Sequence, residues 1–319
     1  MNGVLVIDKP KGWTSHDVVA RVRRVLRVKK AGHGGTLDPL ATGVLPVYLE
    51  EGTKLVPFNL EGTKEYRATV KLGQETDTLD ADGKITAEKS GFICTLEMVE
   101  GILGKFRGPI RQVPPLFSAL KQAGVPLYRR ARGGERPKLA EREVRVHALL
   151  LEGFSSPLMT LRVICGRGTY VRSLCADIGR ALGCGGHLVE LRRLRSGRFT
   201  LDQALNLEEL SRLFAEGKLG ERILSLQDGV DLAEEIQLGE KAAEKVRRGQ
   251  PLHLIDLPAE ERKRLRKGQR VGLFQSPDEL LAIAESQVDG GLPLAGNPQV
   301  LRILRGFQGP GIQRVSASN

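Results

Sequence analysis

The stretch Ala31-Gly32-His33-Gly34-Gly35-Thr36-Leu37-Asp38-Pro39-Leu40-Ala41-Thr42-Gly43 cannot run as one helix or one strand. Four glycines fall within it, and each would cost a helix about 1 kcal/mol while letting the backbone come close to a ligand. Pro39 pushes Asp38 toward extended backbone. The chain must therefore break here into a loop that presents one carboxylate among small residues. Asp-Pro by itself only opens an ordinary surface turn. A plain turn does not call for four glycines, however, so the loop reads as a site built around a single nucleophile or base, Asp38, with His33 close by.

A chain of 319 residues, 40% of them hydrophobic, has room for one large and one small domain or two medium ones. No run of eighteen apolar residues occurs, so no membrane-spanning helix is expected. The N-terminal MNGVLVIDKPKG meets a charge after four apolar residues, too few for a secretory signal, and a cytoplasmic location is expected. Cys94, Cys165, Cys175 and Cys184 form no CxxC pair. Cys184-x-x-His187 is half a zinc spacing, but Cys165 ends an apolar strand and Cys175 lies in an apolar helical stripe, so buried reduced thiols are the better reading. The net charge of +11 favours a polyanionic partner, nucleic acid first.

Val4–Ile7 reads as a short buried strand. Ser15 is a candidate N-cap for a helix with Val18, Val19, Val22, Val25 and Leu26 on its apolar face. Arg21, Arg24 and Arg27 lie on its other face. Val44–Leu49 is a strand. From Glu65 to Leu72 the chain alternates, turning Tyr66, Ala68, Val70 and Leu72 inward. Residues 73–84 form an acidic loop whose carboxylates hold arginines or shape a turn; the spacing is wrong for an EF-hand calcium loop. From Gly108 to about Arg142 prolines, glycines and arginines suggest an insertion that closes over a polyanion. Strands resume at 144–151 and 158–165. A helix follows with Val171, Leu174, Ile178 and Leu182 on one stripe. Arg172 in its first turn opposes the helix dipole, so something must favour it, and a nearby anion such as Asp38 would do. A further helix is expected at 207–214. Residues 236–307 read as a small β-rich module, with a helix at 240–247 and strands at 271–274, 280–285 and 300–304; the tail from about 308 is expected to be disordered.

The residues exclude several chemistries. No P-loop lysine follows the glycines and no GxSxG serine is present. His33-Gly34-Gly35 weakly suggests an esterase oxyanion loop without its nucleophile. The His/Cys zinc set of nucleotide deaminases is missing. A carboxylate acting on a nucleoside drawn out of its stack stays open, with Tyr66 as platform and Arg172 as counter-ion.

GHGGTLDPLATGVLP, preceded by DKPKGWTSHD and followed by KEYRATVKLGQETDTLDADG, PPLFSALKQAGVPLYRRARGG, GRGTYVRSL and GCGGHLVELRRLRSG, resembles the TruB family of tRNA pseudouridine synthases in order and spacing, over roughly residues 3–230. The C-terminal module resembles a PUA domain more weakly. The resemblance implies an α+β pseudouridine-synthase fold: a central mixed or antiparallel sheet flanked by helices, a thumb insertion at about 108–142, a catalytic domain over 1–230 and a small β-barrel over 236–307. It implies isomerisation of uridine 55 in the T loop of tRNA, by a monomer that uses neither metal nor cofactor. Asp38 would be the catalytic carboxylate, its role at the sugar or base left open. Tyr66 would stack on the flipped uracil and help remove its C5 proton. Arg172 would pair with Asp38 and keep it ionised. His33 would help wedge the T loop open, Tyr170 and Leu191 would line the base pocket, and Lys9 and Pro10 would buttress it. Gly34 stands where the family motif commonly has Thr, Phe117 where it often has Tyr, and Arg130 at an aromatic or polar position. The rival functions are a non-catalytic RNA-binding or chaperone protein, a guide-RNA-dependent relative, and a nucleoside hydrolase.

Overall fold

The computed structural model describes residues 1–118, 120–122, 124–290 and 296–307. The chain opens on β1 (Gly3–Lys9), α1 (Ser15–Leu26), β2 (Ala31–His33) and β3 (Thr42–Leu49), and a short α2 (Val56–Asn59) leads to β4 (Lys64–Leu72). A hairpin of β5 (Gln74–Thr76) and β6 (Ile85–Glu88), then α3 (Leu96–Leu103), precede β7 (Gly108–Gln112). An excursion carries β8 (Lys121–Gln122), β9 (Val125–Pro126) and α4 (Leu127–Arg132). Next come β10 (Arg142–Ser155), β11 (Leu158–Cys165), α5 (Val171–Ala181), β12 (Gly186–Ser196), β13 (Phe199–Thr200) and α6 (Leu207–Ala215).

The main sheet runs β1-β3-β12-β4-β11-β10-β7, with β2 on β3 and β13 on β12. It is mixed: β12 and β3 pair in parallel through Arg192 and Arg193 opposite Thr42 and Gly43, and the other pairs are antiparallel. β4 lies at its centre, and Ala68, Val70 and Leu72 are fully covered, as the alternation requires. One core joins them to Val18 and Val22 of α1, Val99 and Leu103 of α3, and Leu174 and Ile178 of α5. Glu65, expected outside, is buried as well, because Arg162 and Arg195 close on its carboxylate.

Strands β1 and β10 outrun the expected 4–7 and 144–151, and two further differences have a clear physical cause. Thr14, not Ser15, caps α1: its hydroxyl accepts from the Asp17 amide and Asp17 accepts from the Thr14 amide, a complete capping box. The sheet also claims the first five residues of the expected insertion, since Gly108–Gln112 pair with Arg142–Val146. The excursion is thus confined to residues 113–141.

Beyond residue 230 lie β14 (Glu234–Gln237), α7 (Glu240–Arg247), β15 (Leu252–His253), α8 (Ala259–Arg264), β16 (Arg270–Phe274), β17 (Leu280–Ser286) and β18 (Gln299–Gly306). The five strands form one curled sheet, a half-barrel in the order β14-β16-β17-β18-β15. Phe274, Leu280, Ile283 and Phe307 from this module share a buried cluster with Val4, Val6, Val44 and Tyr48 of the main sheet, so the two units meet through apolar contact. The expected tail from 308 lies outside the described residues. No helix among the described residues is long and apolar enough to cross a membrane.

Gly43 lies in the parallel seam between β3 and β12 of the main sheet. Its φ is +100°, and a Cβ there would overlap the Arg193 carbonyl oxygen. Gly43→Ala is expected to cost about 1–3 kcal/mol, measured by urea unfolding; an unchanged midpoint would contradict this packing.

Candidate active site

The Asp38 loop is pinned residue by residue. The buried Ser15 hydroxyl accepts from the Leu37 amide at 2.9 Å and donates to the Leu37 carbonyl at 3.2 Å. The fully buried Lys9 ammonium donates to the carbonyls of Pro10, Trp13 and Pro39 at 2.9, 2.6 and 3.3 Å. Burial, the largest effect, pushes Lys9 down to about 8. Lys9 thus ties the Pro39 carbonyl of the loop to the turn after β1, where Pro10 supplies one of its acceptors. The Asp38 carbonyl accepts from the Ala41 amide at 3.0 Å, so the Asp-Pro turn is present too. Of the loop glycines, Gly35 and Gly43 have positive φ; Gly34 is needed for a different reason, because a Cβ there would strike the Tyr48 ring.

With its backbone fixed, the Asp38 side chain stays about a third exposed and meets Arg172, whose Nε donates to Oδ2 at 2.8 Å. Arg172 is almost wholly buried and also donates from Nη1 to the Thr78 carbonyl (3.0 Å) and from Nη2 to the Phe117 carbonyl (2.9 Å), with Asp80 at 3.5 Å from Nη1. These two carboxylates are the anions that a cation in the first turn of α5 requires. Burial pushes the Asp80 carboxyl up, opposed by the Thr78 hydroxyl and Arg172. The acidic hairpin thus does both things expected of it. Asp80 and Glu75 hold Arg172 and Arg180, while Asp77 accepts from the Lys84 amide and shapes the turn.

Asp38, Tyr66, Tyr170, Arg172 and Leu191 line one cavity of about 250 Å³. Tyr66 enters from the inward face of β4, and burial pushes its phenol up. Tyr170 precedes α5, and Gln112 grips its backbone with a donated and an accepted hydrogen bond of 3.3 and 3.2 Å. His33 stands apart on β2. It is outside the lining, its ring edge-on to His16 at 5.2 Å and its Nδ1 buried without a partner. Burial first, then the charges of His16 and Arg193, pushes His33 down to about 4, so it is neutral at pH 7.

Two further cavity residues, Lys64 and Arg193, were missed from sequence, although their parity could have revealed them. Lys64 lies two before Tyr66, and Arg193 two after Leu191, on strands where alternate residues share a face. Gln112, hidden in the supposed insertion, carried no such signal. Cys184 and His187 are occupied elsewhere: the Cys184 sulfur faces the carbonyls of Gly179 and Gly185, and His187 Nδ1 meets Gln74 O at 3.0 Å. Among the described residues no three His, Cys, Asp or Glu side chains cluster as metal ligands.

Comparison with known proteins places this geometry. Residues 23–171 match the TruB family pseudouridylate synthase N-terminal domain, and 172–231 match the tRNA pseudouridylate synthase B C-terminal domain. A Geobacter sulfurreducens protein named tRNA pseudouridine synthase B is 45% identical over 311 residues, spanning 96% of this chain and 100% of its own. An Aromatoleum aromaticum protein of the same name is 48% identical over 69% of this chain and 71% of its own. Among solved structures, one chain of a Cbf5-Nop10-Gar1 complex aligns with a TM-score of 0.74 at 29% identity, over 96% of this chain and 85% of that one. A chain of an H/ACA RNP bound to a substrate RNA containing 2'-deoxyuridine aligns with a TM-score of 0.73 at 26% identity, over the same shares. The large central sheet is that of a pseudouridine synthase. The chain belongs to the TruB family of pseudouridylate synthases, isomerases that convert uridine to pseudouridine.

His33 makes the fold acid-sensitive. Its value is 6.5 in the open chain and about 4 when folded. Between these the unfolded chain binds the proton that the folded chain refuses, so stability falls as pH drops through that window. From pH 7 to pH 5 His33 should account for about 2 kcal/mol. In urea titrations at the two pH values, His33→Asn is expected to lose less stability than wild type; equal losses would contradict the burial.

Proposed function

We propose that this chain isomerises uridine 55 in the T loop of tRNA to pseudouridine, with Asp38 as the catalytic carboxylate and no metal or cofactor. The observation that carries this reading is the Asp38–Arg172 pair opening into a cavity that Tyr66 also lines. Reaction at C1′ requires the nucleoside to leave its stack, an aromatic surface to receive the ring, and a carboxylate fixed beside the sugar. Tyr66 receives the uracil and assists loss of the C5 proton. Arg172 holds the Asp38 carboxylate in place, and Tyr170 and Leu191 bound the base. His33, neutral and at the margin of the site, suits a wedge in the T loop better than an acid or base.

The tRNA is held by charge. The net +11 gives affinity that falls with salt, the excursion over 113–141 folds across the RNA as a thumb, and the C-terminal half-barrel serves as a PUA-like RNA-binding module. The enzyme works as a monomer in the cytoplasm. Guide-RNA dependence is the second reading, favoured by the likeness to the chain from an H/ACA RNP. The 45% identity to a tRNA pseudouridine synthase B over nearly the whole chain, against 29% to the Cbf5 chain, favours stand-alone action.

Asp38→Asn is expected to leave tRNA binding near wild type and to abolish pseudouridine in unmodified tRNA, scored by nucleoside chromatography. Full activity in that variant would overturn the assignment. Free uracil as the wild-type product would make the protein a hydrolase.

A further inference from the structure

Lys64 and Arg193 are the buried cations of the cavity that no carboxylate neutralises among the described residues. Lys64 is 8% exposed and Arg193 1%. Lys64 Nζ donates to the Leu60 and Gly62 carbonyls at 2.6 and 2.5 Å, which occupies two of its three hydrogens. Arg193 Nε donates to Val44 O at 2.7 Å and Nη2 to Gly35 O at 3.2 Å. Arg193 is also the cross-strand partner of Tyr66, and both line the cavity. The other cations of the lining differ: Arg172 is spent on Asp38 and Asp80, and Arg167 is exposed at the mouth.

Burying a cation without a counter-ion is costly. Burial first, then Arg193, pushes Lys64 down to about 8; the Cys165 thiol and Arg167 also face it, and that thiol is itself pushed up to about 11. Lys64 therefore stays mostly protonated at pH 7. Two such charges beneath one cavity call for an anion that is present only for part of the time.

We propose that Lys64 and Arg193 form a cationic floor that stabilises the uracil ring as an anion while it is detached from the ribose. This rests on the isomerase reading above. With Asp38 acting at the sugar, the electron pair stays on N1 when N1–C1′ breaks. The detached ring then carries one negative charge spread over N1, O2 and O4. C5 next gives an electron pair to C1′, the C5 proton leaves, and N1 gains a proton, so the product is an isomer and no atom is lost. In a water-poor site, fixed charges aimed at developing charge act strongly. The ring must also turn while held. An ammonium suits that motion, because its rotatable donors and compact charge follow the ring without demanding one fixed alignment.

The test compares uridine with 5-fluorouridine at the target position of a T stem-loop, scored as single-turnover loss of the parent nucleoside. The fluorinated ring is the more stable anion and needs the floor less. Lys64→Gln keeps a donor for the two carbonyls and removes the charge. It is expected to slow uridine by about 100-fold and 5-fluorouridine distinctly less, with Lys64→Arg closer to wild type than Lys64→Gln on uridine. Equal slowing of both substrates, or none, would overturn the proposal, because a structural role does not depend on the leaving ring. Lys64→Met is read in the same way if the glutamine variant does not fold. Failure of the wild type to make pseudouridine would instead remove the isomerase reading itself.

Discussion

The guanidinium of Arg172 is the contact on which the site depends. From the first turn of α5 it reaches Asp38 in the glycine-rich loop, Thr78 and Asp80 in the acidic hairpin, and Phe117 in the excursion. Four segments far apart in sequence thus converge on one buried cation. Two carboxylates and two carbonyls offset its desolvation, and removing one partner of such a group typically costs 3–5 kcal/mol. The pair is therefore a positional constraint on Asp38. It fixes where the carboxylate stands relative to the cavity, and it brings the excursion's chain to the same point.

The rest of the loop follows the same logic. Ser15 holds Leu37, Lys9 holds Pro39, and Arg193 holds Gly35, each from a different element. The small residues around Asp38 make room for these side chains to reach the backbone. Gly34 illustrates the point: the Tyr48 ring occupies the space that a larger residue would fill.

Much of this was legible in the sequence where a residue's type and its period agreed. The alternation of β4 placed Tyr66 inward, and the misfit of Arg172 with the helix dipole pointed to Asp38. The helix at Glu240–Arg247 and the three long strands of the C-terminal module stand within two residues of expectation. Legibility failed where a long-range partner overrides a local rule. Ser15 looks like a cap until Leu37 claims it. Glu65 looks exposed until two arginines cover it. Lys64 and Arg193 look like surface charges until strand register turns them toward the cavity. Gly108–Gln112 reads as loop because β7 gains its stability from pairing with β10, not from its own composition.

The most direct measurement is a crystal structure of the protein with a T stem-loop carrying 5-fluorouridine at the target position. The expected result is that base turned out of the loop and lying against Tyr66, with its ribose beside the Asp38 carboxylate and Arg172 still paired to it. A fluorouridine that stays stacked in the RNA with the cavity unfilled, or a base bound with Asp38 facing away from the sugar, would contradict the assignment of this cavity.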